Sequence, residues 1–326
     1  MWLKRILSVL PLLLPCATGA VAETPDQPGP SQAPATVDMT VQRVSEHVYY
    51  VEGIPGAATD NEGFISNAGF IVTGAGVVVF DTLGTPALGE LLLEKIRNIT
   101  DQPVVRVIVS HYHADHIYGL QVFEDLDAEI LAPAGAGDYL NSDNARERLE
   151  GRRFTLDPWV NENTRLVYPD RYLDEGTRFQ LGDVEFIVTM IGAAHSDGDL
   201  TLYVAPDRIL FSGDVIFEGR VPFLGDSNTR HWLNVLERME KEKLVALVPG
   251  HGSVANNPNK AVTLTRRYLA YLRESMAAAV EEFVPFNEAY AEVDWSEFAD
   301  LPAFAEANRR NAYQVYLSLE AELLGR

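Results

Sequence analysis

The chain predicts an α/β fold carrying a helical tail, on three patterns in its 326 residues. A strand, a loop and a helix recur through the first half, and short strands alternate with turn residues through the second. Beyond residue 258 the apolar spacing is helical. Periodicity by itself leaves α/β and α+β both open.

The first half is β-rich at its start. Val44 to Val51, with His47, Tyr49 and Tyr50, reads as one strand, and a glycine-containing loop from Glu52 to Gly63 follows. Asn67 to Thr73 and Val77 to Asp81 read as adjacent antiparallel strands. Thr85-Pro86 is an N-cap followed by proline at the first helical position, and Leu88, Leu91, Leu92, Leu93, Ile96 and Ile99 follow at near-helical spacing. A β run from Val104 to Val109 ends at Ser110-His111. Glu129 to Ala132 is a further strand, and Asp143 to Arg153 a charged helix.

In the second half Arg178 to Leu181, Val184 to Met190, Leu200 to Val204 and Ile209 to Ser212 read as short strands, punctuated by Gly182-Asp183 and Pro206-Asp207. A helix over Thr229 to Lys241 and a buried strand over Leu244 to Val248 complete the unit, whose bounds are taken as 41–258. The extension, 259–326, carries helices over Asn259 to Phe283, Asn287 to Glu292 and Asn311 to Leu324. Tyr268, Leu269 and Leu272, with Tyr313, Tyr316, Leu317 and Leu319, give it apolar faces, so it is expected to pack as a cap with no separate function.

Residues 1–22 read as a secretory signal peptide: Lys4 and Arg5 precede an apolar run from Leu7 to Leu14, and Ala20-Val21-Ala22 is a small-residue cleavage site. The expected location is periplasmic or secreted. An uncleaved anchor and an acylated Cys16 are the alternatives, but Pro11 and Pro15 interrupt a stretch short of the roughly 20 apolar residues needed to span a bilayer. Cys16 is the only cysteine, so the processed chain has neither a disulfide nor a thiolate ligand. Residues 23–40, rich in Pro, Ala and polar side chains, read as a flexible linker. Losing Lys4 and Arg5 moves the formal charge from −21 to −23, with 24 basic against 47 acidic side chains. That balance repels phosphate backbones, so the expected partner is a small-molecule substrate, with no nucleic acid and no stable membrane insertion after cleavage.

Three of the seven histidines fall within His111-Tyr112-His113-Ala114-Asp115-His116. Directly after a buried strand, this turn lets His111 and His113 face one point while Asp115 and His116 face a neighbouring one. One loop can then supply two metal centres, since neutral imidazole and carboxylate suit zinc and other transition metals. Three more ligand-type residues stand at strand ends among small neighbours. They are His195 in Gly-Ala-Ala-His-Ser, Asp214 in Ser-Gly-Asp, and His251 in Pro-Gly-His-Gly.

With Asp81 in Val-Phe-Asp-Thr, this ordered set resembles the signature of the metallo-β-lactamase superfamily over about Val41 to Gly252. The resemblance implies a four-layer α/β/β/α sandwich and a dinuclear hydrolase with two zinc ions, iron or manganese being possible. His111, His113 and His195 would hold the first metal; Asp115, His116 and His251 the second; Asp214 would bridge. Asp81 would accept hydrogen bonds that orient the histidine loop. A metal-bridging hydroxide would attack an ester, thioester, lactone or related acyl bond, with Asp115 as the catalytic carboxylate that orients it. The carboxylate of Asp214, where broad-spectrum lactamases carry Cys or Ser, ranks those bonds above β-lactams. A β-lactam hydrolase, a mononuclear-iron sulfur dioxygenase and a metal-binding accessory protein of a periplasmic oxidation system are the alternatives. Gly219 to Phe223 and the helical tail also resemble exported zinc hydrolases associated with quinoprotein systems. Arg220 is a candidate anchor for a substrate carboxylate, or a structural salt bridge. His47 and His231 read as packing residues, and the loop from Glu52 to Gly63 as a cover for the site or a mobile connection.

Overall fold

The computed structural model describes residues 33–225, 227–239 and 243–325. The signal-peptide reading, residues 1–22, and residues 23–32 of the linker lie outside the described residues. The strands of the first half are β1 (Val41–Arg43), β2 (Val48–Val51), β3 (Ala68–Thr73), β4 (Gly76–Phe80), β5 (Val104–Ile108), β6 (Glu129–Pro133) and β7 (Arg171–Leu173). Among them run α1 (Pro86–Ile99), α2 (Ala114–Ile117), α3 (Leu120–Glu124), α4 (Ala136–Leu140) and α5 (Asp143–Thr155). The second half holds β8 (Arg178–Leu181), β9 (Val184–Gly192), β10 (Asp199–Val204), β11 (Ile209–Phe217), α6 (Thr229–Met239) and β12 (Ala246–His251). The tail is α7 (Pro258–Glu281), α8 (Phe286–Glu292) and α9 (Phe304–Leu323).

The halves form separate sheets, ordered β1 to β7 in sequence and β12-β11-β10-β9-β8. Both are mixed: β4 to β7 run parallel, as do β11 and β12, and the remaining pairs are antiparallel. Period-two alternation then sorts side chains into layers. Val77 and Val79 pack beneath α1 and α3, whereas Val78 and Phe80 face the other sheet. In β11, Ile209 and Phe211 face the first sheet, and Leu210 turns to α6, α7 and α9. These three apolar interfaces make four layers, the expected α/β/β/α sandwich with a helical C-terminal region.

Local chemistry explains the elements and their departures from expectation. Thr85 caps α1, its hydroxyl accepting from the Leu88 amide. Of the strand expected over Val44 to Val51 only Val48 to Val51 forms, as β2; before it Ser45 Oγ accepts from the Val48 amide in the turn that joins it to β1. Strand β11 runs five residues past Ser212, through Asp214, rather than ending in a turn. The end of the expected linker is docked: Met39 is buried, and the Thr36 amide donates to Glu62 Oε2 at 2.7 Å. In the loop from Glu52 to Gly63, the Ile54 amide donates to Phe64 O and Asn61 Nδ2 to Ile54 O, which pins its base while Ile54 to Ala57 stay exposed.

Candidate metal centre

Both sheets present their parallel strands' C-terminal ends to one edge, where ligands of α/β folds are commonly bound. Asp81 follows β4, and the histidine loop follows its parallel neighbour β5. Asp214 lies in β11, and His251 ends its parallel neighbour β12. His195 follows β9. Asn67 seams the edge: its Nδ2 donates to Pro249 O at 2.8 Å and Gly252 O at 2.7 Å.

The histidine loop keeps His113 extended, then winds into the single turn α2. Buried Tyr112, Ala114 and Ile117 hold this loop in the core, leaving the ligand-type side chains to the edge. Two glycines let Asp214 enter. Gly213 has φ +50°, and a Cβ there would stand 2.6 Å from Ser110 Cβ; a Cβ on Gly250 would stand 1.9 Å from Asp214 Oδ1.

The seven candidate ligands converge in two groups: His111, His113, His195 and Asp214, and beside them Asp115, His116 and His251. His113 Nδ1 lies 3.1 Å from His111 Nε2 and 2.9 Å from His195 Nε2. Asp214 touches both groups. Its Oδ2 is 3.3 Å from His195 Nε2 and 3.2 Å from His251 Nε2, and its Oδ1 is 3.2 Å from His116 Nε2. Asp115 Oδ2 is 3.3 Å from His251 Nε2 and 3.6 Å from His116 Nε2.

Hydrogen bonds behind the imidazoles set which nitrogen faces inward. His116 Nδ1 donates to Asp81 Oδ2 at 2.9 Å, and His251 Nδ1 to Ile65 O at 2.7 Å. Asp81 also takes the Ser110 amide and hydroxyl, each at 2.7 Å, so Ser110 Oγ is left to accept from His111 Nδ1 at 2.8 Å. In the neutral state these three histidines aim Nε2 lone pairs at carboxylate oxygens and at one another. Lone pair against lone pair is unfavourable without a cation between them. His116 Nε2 and Asp214 Oδ1 are indeed buried with no hydrogen-bond partner. The donor set therefore fits a metal pair.

The electrostatics agree. Burial holds His111 and His113 below their ordinary range and takes His195 down to about 3, so all three are neutral donors. Burial opposes charge on His116 and His251 too, but Asp214 and Asp115 outweigh it and raise both. Burial likewise pushes against ionisation of Asp115 and Asp214, yet the neighbouring histidines hold both carboxyls well below the usual range. Asp214, buried, and Asp115 beside it, partly buried, demand positive charge here, as protons or as metal.

Asp81, at the left-handed φ of +59°, sits behind the cluster and buttresses His116 directly, a strained backbone at the site itself. Four groups escaped the sequence reading. Asp199, pushed up to about 7 by burial, accepts from the Ala194 and Ser196 amides and from Ser196 Oγ, and so shapes the loop carrying His195. Phe217 stacks on His251 with ring centroids 5.2 Å apart. Ser110 and the Ile65 carbonyl fix two tautomers. Of these, only Asp199 carried a signal, as a carboxylate just past the His195 turn.

A cavity of about 540 Å³ opens over the cluster. Arg220 lines it, with Nε buried and unpartnered and no ion pair among the described residues, so it is no structural salt bridge. Pro55 and Gly56 bring the exposed loop to the rim, and α9 supplies Glu306, Ala307 and Arg310, so the tail is a wall of the cavity as well as a cap. Asn311 fixes that wall, accepting from the Leu224 amide at 3.1 Å and donating to Pro222 O at 2.6 Å. His47 and His231 lie elsewhere: His47 Nδ1 pairs with Asp207 at 2.8 Å, and His231 Nε2 donates to Ile191 O at 2.9 Å.

The family model of the metallo-beta-lactamase superfamily matches residues 61–251, more than half of the chain. Acyl-coenzyme A thioesterase MBLAC2 of Gallus gallus is 32% identical over 156 residues, which cover 44% of this chain and 55% of that protein. Metallo-beta-lactamase IND-1 of Chryseobacterium indologenes is 21% identical over 210 residues, 63% of this chain and 77% of that one. The solved metallo-beta-lactamase from Pontibacter korlensis superposes with a TM-score of 0.58 at 20% identity, over 72% of this chain and 99% of that chain, a likeness of fold. A match that opens before β3 and closes on His251 takes in β3 to β12 and every converging ligand, and this chain belongs to the metallo-beta-lactamase superfamily of metal-dependent hydrolases.

Proposed function

We propose that the protein is an exported dinuclear hydrolase of ester, thioester or lactone bonds, with a catalytic domain over 41–258 and the tail, 259–326, completing the cavity. The observation that carries this reading is Asp214, which reaches His195 of one group at 3.3 Å and His116 and His251 of the other at 3.2 Å. In this reading His111, His113 and His195 hold one metal, Asp115, His116 and His251 the other, and Asp214 both, with zinc the expected ion for redox-inert chemistry. Bound, the pair supplies Lewis acidity and lowers the pKa of a coordinated water toward neutrality.

The chain's own side chains do the remainder. Asp115 stays ionised and its side chain is 18% exposed, so it can accept a hydrogen bond from the attacking water and hold it against the carbonyl. Asp81 and Ser110 keep the imidazoles from rotating. Arg220 can anchor a substrate carboxylate.

The acyl-coenzyme A thioesterase and the β-lactamase among the relatives both support acyl-bond cleavage, and the carboxylate at Asp214 favours the former. The test is metal analysis joined to a panel of esters, thioesters, lactones and β-lactams. Two metals per chain with ester, thioester or lactone turnover is expected, falling with Asp214→Ser by about 10- to 100-fold, the scale of lost metal support. One iron per chain with sulfur oxygenation, or no turnover by the fully loaded protein, would remove the proposal. Mass spectrometry of the exported protein should find Glu23 at its N-terminus.

A further inference from the structure

The cavity gathers arginines in a chain that is strongly acidic overall. The chain carries 47 acidic and 26 basic side chains, yet Arg148, Arg152, Arg220 and Arg310 all line this one space. None of the four has an ion pair or a side-chain hydrogen bond among the described residues. The contact made by Arg310 is with a ring, its guanidinium 4.9 Å from the Phe223 centroid.

Several arginines elsewhere are paired with acids. Arg106 meets Glu129, Arg165 meets Glu124 and Asp125, Arg267 meets Glu297, and Arg230 and Arg273 share Glu322. Helix α5 makes the contrast within a single element. Arg146 and Arg153 each have an acid three residues earlier, Asp143 and Glu150, and bond to it. Arg148 and Arg152 have Ala145 and Leu149 at that spacing, and stand one turn apart, where like charges repel. Two of the four α5 arginines are thus paired along the helix itself, and the two that line the cavity are not.

An unpaired guanidinium is costly where it is buried, as Arg220 Nε is; Arg152 is partly buried, and Arg148 and Arg310 are exposed. Burial lowers the Arg220 pKa despite the attraction of Asp214 and Asp115. Besides those two acids, the lining holds Asp197 and Glu306, neither of which is bonded to any of the four. The planar fork of arginine suits phosphate and carboxylate oxygens.

We infer that Arg148 and Arg152 on one wall, with Arg310 and Arg220 on the other, form an anion subsite that binds a phosphate or carboxylate group of the substrate, away from the bond to be cleaved. The substrate is thus an acyl compound that carries a phosphate or carboxylate group apart from the scissile bond. The inference rests on reading the cavity as a hydrolase active site.

Equilibrium binding separates it from that reading, because it needs no turnover. Calorimetry on the full-length, metal-loaded protein would compare adenosine 3′,5′-bisphosphate, glutarate and uncharged adenosine. The subsite predicts that one of the two anions binds at least about tenfold tighter than adenosine, the worth of one charge-assisted hydrogen bond. Preference for the bisphosphate identifies a phosphate-bearing substrate, and preference for glutarate a carboxylate-bearing one. R148Q/R152Q should lose about tenfold in that affinity, and R148K/R152K should lose less, since lysine keeps the charge though not the planar fork. Arginine-dependent binding in a protein that cleaves nothing would sink the hydrolase reading and leave the anion subsite standing. Affinity unchanged in R148Q/R152Q, equal losses in the Gln and Lys pairs, or no anion bound above adenosine would overturn the subsite.

Discussion

At the scale of single residues, the site is governed by what stands behind each ligand. Asp81 accepts from the Ser110 amide, the Ser110 hydroxyl and His116 Nδ1, so one carboxylate fixes two of the inward-facing nitrogens. Asp81→Ala should weaken metal binding by about 10- to 100-fold, more for the ion held by His116 than for the other, while the sheets persist. Competition with a chromophoric chelator measures both constants, and two unchanged constants would make Asp81 a mere strand terminator. The protons of His116 and His251 give a second prediction. Both pKa values are raised in the metal-free protein, where burial is outweighed by Asp214 and Asp115. Protonation therefore stabilises the metal-free fold fully below the ordinary imidazole value of 6.5, and that contribution is lost as pH rises through the raised values. Metal must displace the same protons, so its affinity should climb with pH across this window, by about tenfold per pH unit for each proton released. Titration in buffers of different ionisation enthalpy counts them, and zero protons released would contradict the assignment.

At the scale of elements, the tail matters because α9 holds the chain that carries Arg220. Asn311 is wholly buried, and the Leu224 amide and Pro222 carbonyl depend on it. Asn311→Leu leaves both unpaired, at about 1–3 kcal/mol each. Thermal unfolding should fall by several degrees, and KM should rise more than kcat falls, because the disturbed wall binds substrate and lies off the metal cluster. An unaltered KM would return the tail to a passive cap. This arrangement was hidden from the sequence, which places α9 at Asn311, whereas the helix begins at Phe304 after Ala303 turns left-handed at φ +64°. Long periodic elements were legible: α1 through its Thr85-Pro86 start, and β8 to β10 through alternation. What escaped was set by tertiary context. Strand β7 has three residues, two of them exposed, too little for a periodic signal. Ser-Gly-Asp at 212 to 214 resembles a turn, but Gly213 bends β11 without ending it, so Asp214 reaches the cluster from within a strand. The ligand types were legible as a dense ordered set; their tautomers, set by Ser110 Oγ and the Ile65 carbonyl, were not, because nothing local marks an acceptor contributed from elsewhere in the fold.

At the scale of the whole molecule, the cluster is a joint between two halves. His111, His113, Asp115 and His116 come from the first sheet's side and His195, Asp214 and His251 from the second's, while the sheets otherwise meet through an apolar interface. That interface is apolar: Phe80, Phe211, Leu200 and their neighbours are buried against one another. The edge is different: two adjacent carboxylates, one of them buried, in a chain of net charge −21, must be neutralised there or repel. Cations that bind both halves at once stabilise the folded state and not the unfolded one, by about 4 kcal/mol at a thousandfold excess over the dissociation constant. For a chain of this size each kcal/mol moves the unfolding midpoint by roughly 2–4 °C, so removing metal should lower Tm by roughly 8–16 °C. The loss should be larger at pH 8 than at pH 6, because protons on His116 and His251 replace part of the missing charge only on the acid side. Calorimetric scans with and without chelator, at both pH values, test this. A Tm indifferent to chelator would mean that the halves are joined by packing alone, and a loss larger at pH 6 would mean that the two histidines do not carry the compensating protons.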